Sequence, residues 1–339
     1  MNSSRGLHVG VLGNGLSALA AAHFVQKAGH EATVLETDHS DVRLGRTFKH
    51  GPSRFDQFFQ LVSEQDSALR GLLKELGIED NLQWVPAPRR RKFWPIRQHQ
   101  VALGVGLAET MKLALRSRLQ VHKVSSEMDL MESEYSIDIR TDEGTRRFDA
   151  LITSLPIDQV EDLGRELVAQ QVPDSQGRQQ TLVNVVFISS SPIWRKYSTF
   201  VVSNQMPFHS VSATTYVDLM LSVINVSGYN DSSDSELKLL ALRSLSENYA
   251  EFQPSNVQAA RVFRYAKHIP VFEPEDNHRQ ISARVGGSRL FLASRELGCS
   301  LPVCMNTDVL LAREAVDAFV ECAPTFACGA RQAAHAAGR

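Results

Sequence analysis

The sequence lacks any strong excess of charge and any long apolar run. Its 36 lysines and arginines nearly balance its 38 aspartates and glutamates, which gives a formal net charge of −2. This balance argues against nucleic acid or an anionic membrane surface as the partner. No stretch approaches the roughly 18 uninterrupted apolar residues of a membrane span, and residues 1–6 lead into an apolar strand without a signal-peptide pattern.

Cysteine is scarce, and no short catalytic motif is present. The sequence has only four cysteines, all near the carboxyl end: Cys299, Cys304, Cys322 and Cys328. Four are too few for a disulfide scaffold, and their spacing matches no familiar zinc motif. We interpret them as reduced thiols of a cytoplasmic protein. Because GxSxG, HExxH and CxxC are also absent, no motif identifies a nucleophile, a zinc site or a redox thiol pair.

The first forty residues carry the strongest pattern. They predict a strand, a glycine turn, a helix rich in alanine and leucine, and a second strand, at residues 7–12, 13–15, 16–28 and 31–36. Gly13 permits the tight turn, and Gly15 removes a Cβ so that a pyrophosphate can approach the backbone. Ala18 replaces a third glycine and still allows close packing of helix on strand. The free N–H groups and positive dipole of the helix N-terminus favour phosphate there.

Glu36 ends the second predicted strand, where dinucleotide-binding proteins place an acid about 20 residues after the turn. Its carboxylate can accept hydrogen bonds from ribose hydroxyls, and it disfavours the 2′-phosphate of NADP. The GxGxxA spacing alone is a weak signal, but here it lies between a strand and a helix and is followed by this acid. The pattern therefore predicts a dinucleotide-binding protein or a descendant of one.

Residues 9–36, VGVLGNGLSALAAAHFVQKAGHEATVLE, resemble the FAD-binding opening of the flavin amine oxidase and protoporphyrinogen oxidase superfamily. UDP-galactopyranose mutase is a distant relative in that group. The likeness implies non-covalent FAD rather than NAD as the NAD(P)/FAD-type ligand. It also implies an α/β fold, with a Rossmann-like FAD-binding domain of the GR2 type and an inserted α+β substrate or cap domain.

The same resemblance implies most of the expected cofactor contacts. Arg46 in LGRT fits the arginine of the family's GGR motif, although a solvated loop charge is the alternative. Val124 ends a predicted strand, residues 119–124, whose counterpart in the family clamps the adenine, and a helix beginning at Asn306 directs its N-terminus at the cofactor. The expected contacts are Gly13, Gly15, Leu16, Ser17, Ala18, Glu36, Thr37, Arg46, Thr47, Val124, Ser294, Asn306 and Thr307.

The rest of the chain suggests two domains. Residues 39–59 are typical of a polar loop, residues 215–226 of a long strand, and residues 235–252 of a helix capped by Ser235. We expect a discontinuous FAD-binding domain made of residues 1–90, 115–160 and 281–322. The substrate or cap domain is expected at residues 91–114 and 161–280, and a disordered tail at residues 323–339.

Three functions remain open. The first is an FAD-dependent, amine oxidase-like oxidoreductase that removes a hydride from a small amine or biosynthetic intermediate, since a flavin carries that chemistry itself. The second is a non-redox flavoenzyme, a mutase or isomerase, whose basic run Arg89–Lys92 holds a nucleotide-sugar diphosphate. The third is a binding or scaffold protein that lost its flavin, because Leu44, Phe58, Ser294 and Ala312 replace small residues of the family.

The polar residues that could contact a substrate lie in the expected cap domain. Arg264 is the strongest, because a guanidinium can fix a carboxylate bidentately, and Tyr265 and His209 are weaker. We list the full set as His209, Tyr216, Arg264, Tyr265, Lys267 and His268. Each is also consistent with a purely structural role. The substrate is expected to be a small molecule, with no nucleic-acid partner.

Overall fold

In the computed structural model the described residues are 6–37, 47–58, 61–82, 84–86, 100–103, 106–125, 127–156, 159–160, 163, 179–191, 198–202, 208, 210–216, 219–229, 231–270, 283–294 and 305–337. Their strands are β1 His8–Leu12, β2 Glu31–Glu36, β3 Thr47–His50, β4 Ser53–Asp56, β5 Leu61–Ser63, β6 Trp84–Pro86, β7 Gln100–Leu103, β8 Gln120–Lys123, β9 Met128–Glu132, β10 Ile137–Thr141, β11 Gly144–Phe148, β12 Ala150–Thr153, β13 Gln179–Ser189, β14 Ser198–Val202, β15 Ser210–Tyr216, β16 Leu221–Tyr229, β17 Val257–Pro270 and β18 Leu290–Leu292. Their α-helices are α1 Leu16–Lys27, α2 Ser67–Leu76, α3 Leu107–Arg116, α4 Asp234–Asn248 and α5 Met305–Ala337.

A parallel sheet of five strands combines four strands from the first half of the chain with β18 from near its end. Its order is β18-β12-β1-β2-β8, and β1 pairs in parallel with both β12 and β2. Parallel neighbours need a crossover connection, which α1 supplies between β1 and β2. The strand residues Val9, Val11 and Val34 have no exposed surface, as expected for a sheet that is covered on both faces.

Helices cover one face of this parallel sheet, and a small antiparallel sheet covers the other. Helices α1, α2, α3 and α5 share a core with Val9 and Val11 of β1. The sheet β11-β10-β9 packs against Leu12 and Leu35 on the opposite face. Ala20 of α1 is fully buried, and such small side chains let this helix lie close to the strands. The resulting three layers place the carboxyl ends of β1 and β2 side by side.

A second sheet of five strands is antiparallel and has the order β14-β15-β16-β13-β17. Because strand residues alternate between faces, Val183 and Val185 pack with Leu237 of α4 on what we call the helix-covered face. Val186 and Ile188 instead pack on the opposite face against Phe48 and Phe55 of the β3–β4 pair, and they belong to what we call the hairpin-covered face. The second sheet therefore contacts the first half of the chain through this hairpin.

Three local predictions are wrong. Residues 47–56, predicted as loop, form the β3–β4 hairpin, because Phe48 and Phe55 have an apolar sheet to pack on. The predicted strand 215–226 is two strands, β15 and β16, which pair with each other around Met220 at a φ of 51°. Helix α4 begins at Asp234, one residue before the predicted start. Ser233 rather than Ser235 is its N-cap, and Ser233 and Glu236 each bond the other's backbone N–H through their side chains.

Two expected domain boundaries also differ from the structure. Residues 107–114 are predicted in the substrate domain, but Leu107 and Met111 of α3 are buried in the core that contains α1. The tail predicted to be disordered from residue 323 instead continues α5 through Ala337, because Ala323 and Phe326 are buried in that same core. Across the described part of the chain, no helix is long and apolar enough to span a membrane.

Candidate functional site

Gly13 makes the sharp turn that joins β1 to α1. Its φ is +135°, a conformation that side chains with a Cβ rarely adopt. A Cβ at this position would also overlap the hydroxyl group of Ser154, which follows β12. The Gly13 N–H donates to the Leu35 carbonyl oxygen at 2.9 Å, which fastens the turn to β2. The turn is thus fixed by both neighbouring strands of the sheet.

Gly15 is the N-cap of α1, and its surroundings differ from those of Gly13. Among the described residues, a Cβ built on Gly15 would meet no atom within 4 Å, and no side chain of these residues caps the helix there. The first N–H groups of a helix have no intrahelical acceptor. Leu16, Ser17 and Ala18 therefore bring their N–H groups to an open approach at the positive end of α1, and this arrangement suits an anion.

Glu36 and Thr37 lie beside this turn at the end of β2. The side chain of Asn14 connects the turn to the end of β2, since its Nδ2 donates to the Thr37 carbonyl oxygen at 2.6 Å. Glu36 is 9% exposed, and its Oε2 accepts from Nη2 of Arg116 at 2.8 Å. Its Oε1 and the Thr37 hydroxyl are buried with no hydrogen-bond partner among the described residues. Unpaired buried oxygens are costly, so these two atoms suit a ligand that donates hydrogen bonds.

The other predicted cofactor contacts have varied surroundings. The Val124 N–H donates to the Glu36 carbonyl oxygen at 2.9 Å, so a contact with adenine would fall to the Val124 carbonyl. Ser294 is buried just after β18 and Thr307 in the first turn of α5. Thr47 lies on β3, where its hydroxyl accepts from Arg54 at 3.2 Å. Arg46 lies outside the described residues.

Asn306, predicted as a cofactor contact at the start of α5, uses its side-chain oxygen within the protein. Its Oδ1 accepts a hydrogen bond from the Leu69 N–H at 3.0 Å, in the first turn of α2. The first N–H groups of α2 need an external acceptor, and Asn306 supplies one from a neighbouring helix. Its oxygen therefore joins α5 to α2.

Arg264, predicted as the strongest substrate contact, is engaged by other groups of the protein. Its guanidinium bonds the Asp234 carboxylate at 2.9 Å and the Ser232 carbonyl, at the start of α4. Strand register pairs Arg264 with Val183, which belongs to the helix-covered face. Alternation along β17 thus directs Arg264 to the side away from the β3–β4 hairpin.

The remaining candidates are less fully described. Tyr265 pairs with Leu182 through the backbone of β17, but its side chain, like those of Lys267 and His268, lies outside the described residues. His209 lies outside them altogether, as does the basic run Arg89–Lys92. Tyr216 lies at the end of β15 with its ring edge-on to Phe55 at 5.2 Å between centroids. Burial and the Asp56 charge raise the pKa of its hydroxyl.

Asp56, at the end of β4, is a buried carboxylate that sequence reasoning missed. Its Oδ2 accepts from the Gly106 N–H at 2.7 Å, at the N-cap of α3. Its Oδ1 is buried with no hydrogen-bond partner among the described residues. Burial, and to a lesser degree the charge of Glu109, raise the pKa of Asp56 to about 6 against the opposing Gly106 bond. The available signal was the acid within the segment FDQFF. Sequence reasoning considered only Phe58 there, because Phe58 departs from the family pattern.

A polar network on the second sheet was also missed. Asn184 is fully buried, and its Nδ2 donates to the Gln57 carbonyl at 2.6 Å and to Asn225 Oδ1 at 2.9 Å. Its Oδ1 accepts from the Ser227 hydroxyl at 2.9 Å. The polar residue inside the apolar run LVNVVFI was the available signal. The network ties the hairpin-covered face to the residue after Asp56.

Comparisons with known proteins agree with this fold. No family model matches the sequence, and neither does any curated protein. A solved structure assigned as a protoporphyrinogen oxidase, from Exiguobacterium sp. 255-15, is similar with a TM-score of 0.68 and 12% identity, over 94% of this chain and 99% of that one. A putrescine oxidase variant gives 0.69 and 12%, over 94% and 99%.

Cyclohexylamine oxidase from Brevibacterium oxydans IH-35A is similar too, with a TM-score of 0.64 and 11% identity, over 93% of this chain and 99% of that one. At such identities the likeness establishes the fold. The prediction drawn from residues 9–36 is confirmed at that level. The chain has the fold of flavin amine oxidases and protoporphyrinogen oxidase, including a five-stranded parallel sheet.

Proposed function

We propose that the chain binds FAD non-covalently and is an oxidoreductase that removes a hydride from a small amine or biosynthetic intermediate. The observation that carries the proposal is the glycine turn. As far as the described residues go, Gly15 leaves open space at the N-terminus of α1, and Oε1 of Glu36, at the end of the adjacent strand, has no hydrogen-bond partner. Putrescine oxidase and cyclohexylamine oxidase, which share the fold, are amine oxidases by name.

The residues at this end fit a dinucleotide. The pyrophosphate would accept hydrogen bonds from the N–H groups of Leu16, Ser17 and Ala18, while a ribose would donate to Glu36 and Thr37. Arg46 would add a positive charge near the phosphates. Bound FAD would supply the hydride acceptor, so the protein would need to bind, orient and desolvate the substrate rather than attack it.

For the substrate we propose a site against the hairpin-covered face of the second sheet, with residues 161–280 as the substrate or cap domain. Ser212 supports this assignment. The residue is 2% exposed, and its buried hydroxyl has no hydrogen-bond partner among the described residues. Strand register places it directly opposite Asn225. These neutral groups suit hydrogen bonds to a small polar substrate, and Tyr216 offers a hydroxyl four residues further along β15.

The test is the flavin content of the purified protein. We expect a yellow protein with a flavin spectrum that dithionite bleaches and oxygen restores. A Gly15→Glu variant should lose the flavin, because the new carboxylate would fill the open approach and repel the phosphates. The matched control is Gly287→Glu, since a Cβ at Gly287 also meets nothing within 4 Å. Flavin retained in Gly15→Glu, or lost equally in both variants, would contradict the proposed site.

A second candidate is a dinucleotide-binding protein without flavin chemistry. Phe58 favours it, because this side chain is buried at the position where the resembled family has a glycine near the flavin ring. A protein that binds ADP, yet stays colourless after refolding with FAD, would support this candidate over the oxidoreductase.

A further inference from the structure

We infer that Arg116 is a positioning residue for the adenosine end of the dinucleotide site, and that it acts through Glu36. Its guanidinium holds one carboxylate oxygen so that the other is presented to the ribose. The inference deepens the proposed function and rests on it only in so far as a dinucleotide occupies the site.

The geometry of the pair is specific. Arg116 belongs to the last turn of α3, and its Nη2 lies 2.8 Å from Oε2 of Glu36. The Glu36 side chain is 9% exposed and that of Arg116 is 44% exposed, so the arginine reaches the buried carboxylate from the surface. A bond to one oxygen of a planar carboxylate also fixes the direction of the second. That second oxygen, Oε1, has no hydrogen-bond partner among the described residues.

Helix α3 is held at both ends, which makes Arg116 a fixed support. At its start the Gly106 N–H donates to Asp56 at 2.7 Å, and along its length Met111 and Leu115 are fully buried against the core shared with α1. This packing fixes the backbone from which the Arg116 side chain reaches Glu36.

The pair also determines which ribose the site accepts. An arginine near this position can bind the 2′-phosphate of an NADP-type ligand, whereas an acid binds a free 2′-hydroxyl. Here both residues are present, and Arg116 is engaged by Glu36. The combination favours an unphosphorylated ribose. Loss of the acid would release the arginine for a phosphate.

The experiment measures calorimetric binding of ADP and of its 2′-phosphorylated form to the full chain. Arg116→Gln should weaken ADP binding by about tenfold, the loss of one oriented charge-assisted bond, and Arg116→Lys by less. Glu36→Gln should weaken ADP binding as well and shift preference toward the 2′-phosphorylated ligand. Arg118→Gln is the matched control, because Arg118 bonds the Glu75 carbonyl instead.

The outcomes separate the inference from the proposed function. Unchanged ADP affinity in Arg116→Gln, with an unchanged urea midpoint, would overturn the inference, as would a Glu36→Gln variant that keeps its preference for ADP or a wild-type chain that does not bind ADP. If Arg116→Gln does not fold, Arg116→Lys and Glu36→Gln decide. A wild-type chain that binds ADP but not FAD refutes the proposed function and leaves the role of Arg116 standing.

Discussion

The two large sheets treat their buried polar groups differently. At the end of the parallel sheet, Glu36 Oε1 and the Thr37 hydroxyl are buried without partners among the described residues. On the antiparallel sheet, Asn184 is bonded to Gln57, Asn225 and Ser227. Unpaired buried oxygens indicate a missing ligand, whereas a network of satisfied groups indicates a structural joint. The end of the parallel sheet therefore offers two unpaired oxygens to a ligand, whereas the hairpin-covered face combines the bonded network around Asn184 with one unpaired group among the described residues of that sheet, the Ser212 hydroxyl.

This difference explains why the sequence predicts the proposed dinucleotide site in more detail than the proposed substrate site. A dinucleotide is bound largely by backbone groups, whose positions follow from a turn and a helix start. A small substrate is selected by side chains on a sheet face, and their positions depend on register and on what packs opposite. Three substitutions test whether the contrast is real, beginning with the largest expected effect.

Gly13→Ala should be the most damaging of the three. The new Cβ would overlap the Ser154 hydroxyl, and the φ of +135° is strained for alanine. Backbone strain and overpacking together are expected to cost about 3–5 kcal/mol of unfolding free energy, which urea denaturation would measure. Gly15→Ala is the informative control, because a Cβ there meets no atom within 4 Å. It should leave stability nearly unchanged, and equal losses in both variants would remove the distinction between a structural glycine and a ligand-facing one.

Asn184→Ala should lower stability but should not change ligand binding at the turn between β1 and α1. It removes two donated bonds and one accepted bond in a fully buried network, with an expected loss of about 2–3 kcal/mol of unfolding free energy. Affinity for ADP should stay the same, because the glycine turn lies in the other sheet. Asn256→Ala, which removes a partly buried bond to Ser191, should cost less. A small loss in Asn184→Ala would mean that the network does not join the sheet to the hairpin.

The predictability of the two halves follows the same division. Residues 7–36 were placed closely because an apolar strand, two glycines and an alanine-rich helix act through neighbours in sequence. The β3–β4 hairpin was missed because Phe48 and Phe55 pack on a sheet more than a hundred residues away in the chain. The pairing of Arg264 with Asp234 was not indicated by the sequence, because the face that Arg264 occupies depends on its register with β13.

Arg116 and Asp56 show what local patterns could not supply. The pairing of Arg116 with Glu36 joins α3 to β2 across 80 positions of the sequence, and no periodicity in either segment indicates it. The bond from Gly106 to Asp56 spans 50 positions. Both contacts depend on how α3 packs, and the sequence placed the first part of α3 in the wrong domain.

Asp56 ends the β3–β4 hairpin that packs on the second sheet. Its substitution should give the smallest change in unfolding free energy of the three, and the direction of that change depends on pH in a defined way. Its pKa is raised from 3.8 to about 6 because burial disfavours the ionised form. A carboxyl group whose folded pKa exceeds its unfolded value adds stability below the unfolded pKa. That contribution is lost as the pH rises from about 4 through about 6, after which the buried charge is a constant penalty.

Asp56→Asn keeps an acceptor for the Gly106 N–H and removes the charge, so it should be more stable than the wild type by about 1–2 kcal/mol at pH 8, after allowance for a buried amide donor. Near pH 4 the two proteins should be alike. Asp138→Asn provides the opposite control, because Arg147 lowers the pKa of Asp138, and this variant should lose stability at neutral pH relative to acid. Urea unfolding at pH 4, 6 and 8 measures all three proteins. A constant difference between Asp56→Asn and the wild type across that range would show that burial does not raise the pKa of Asp56 above its unfolded value.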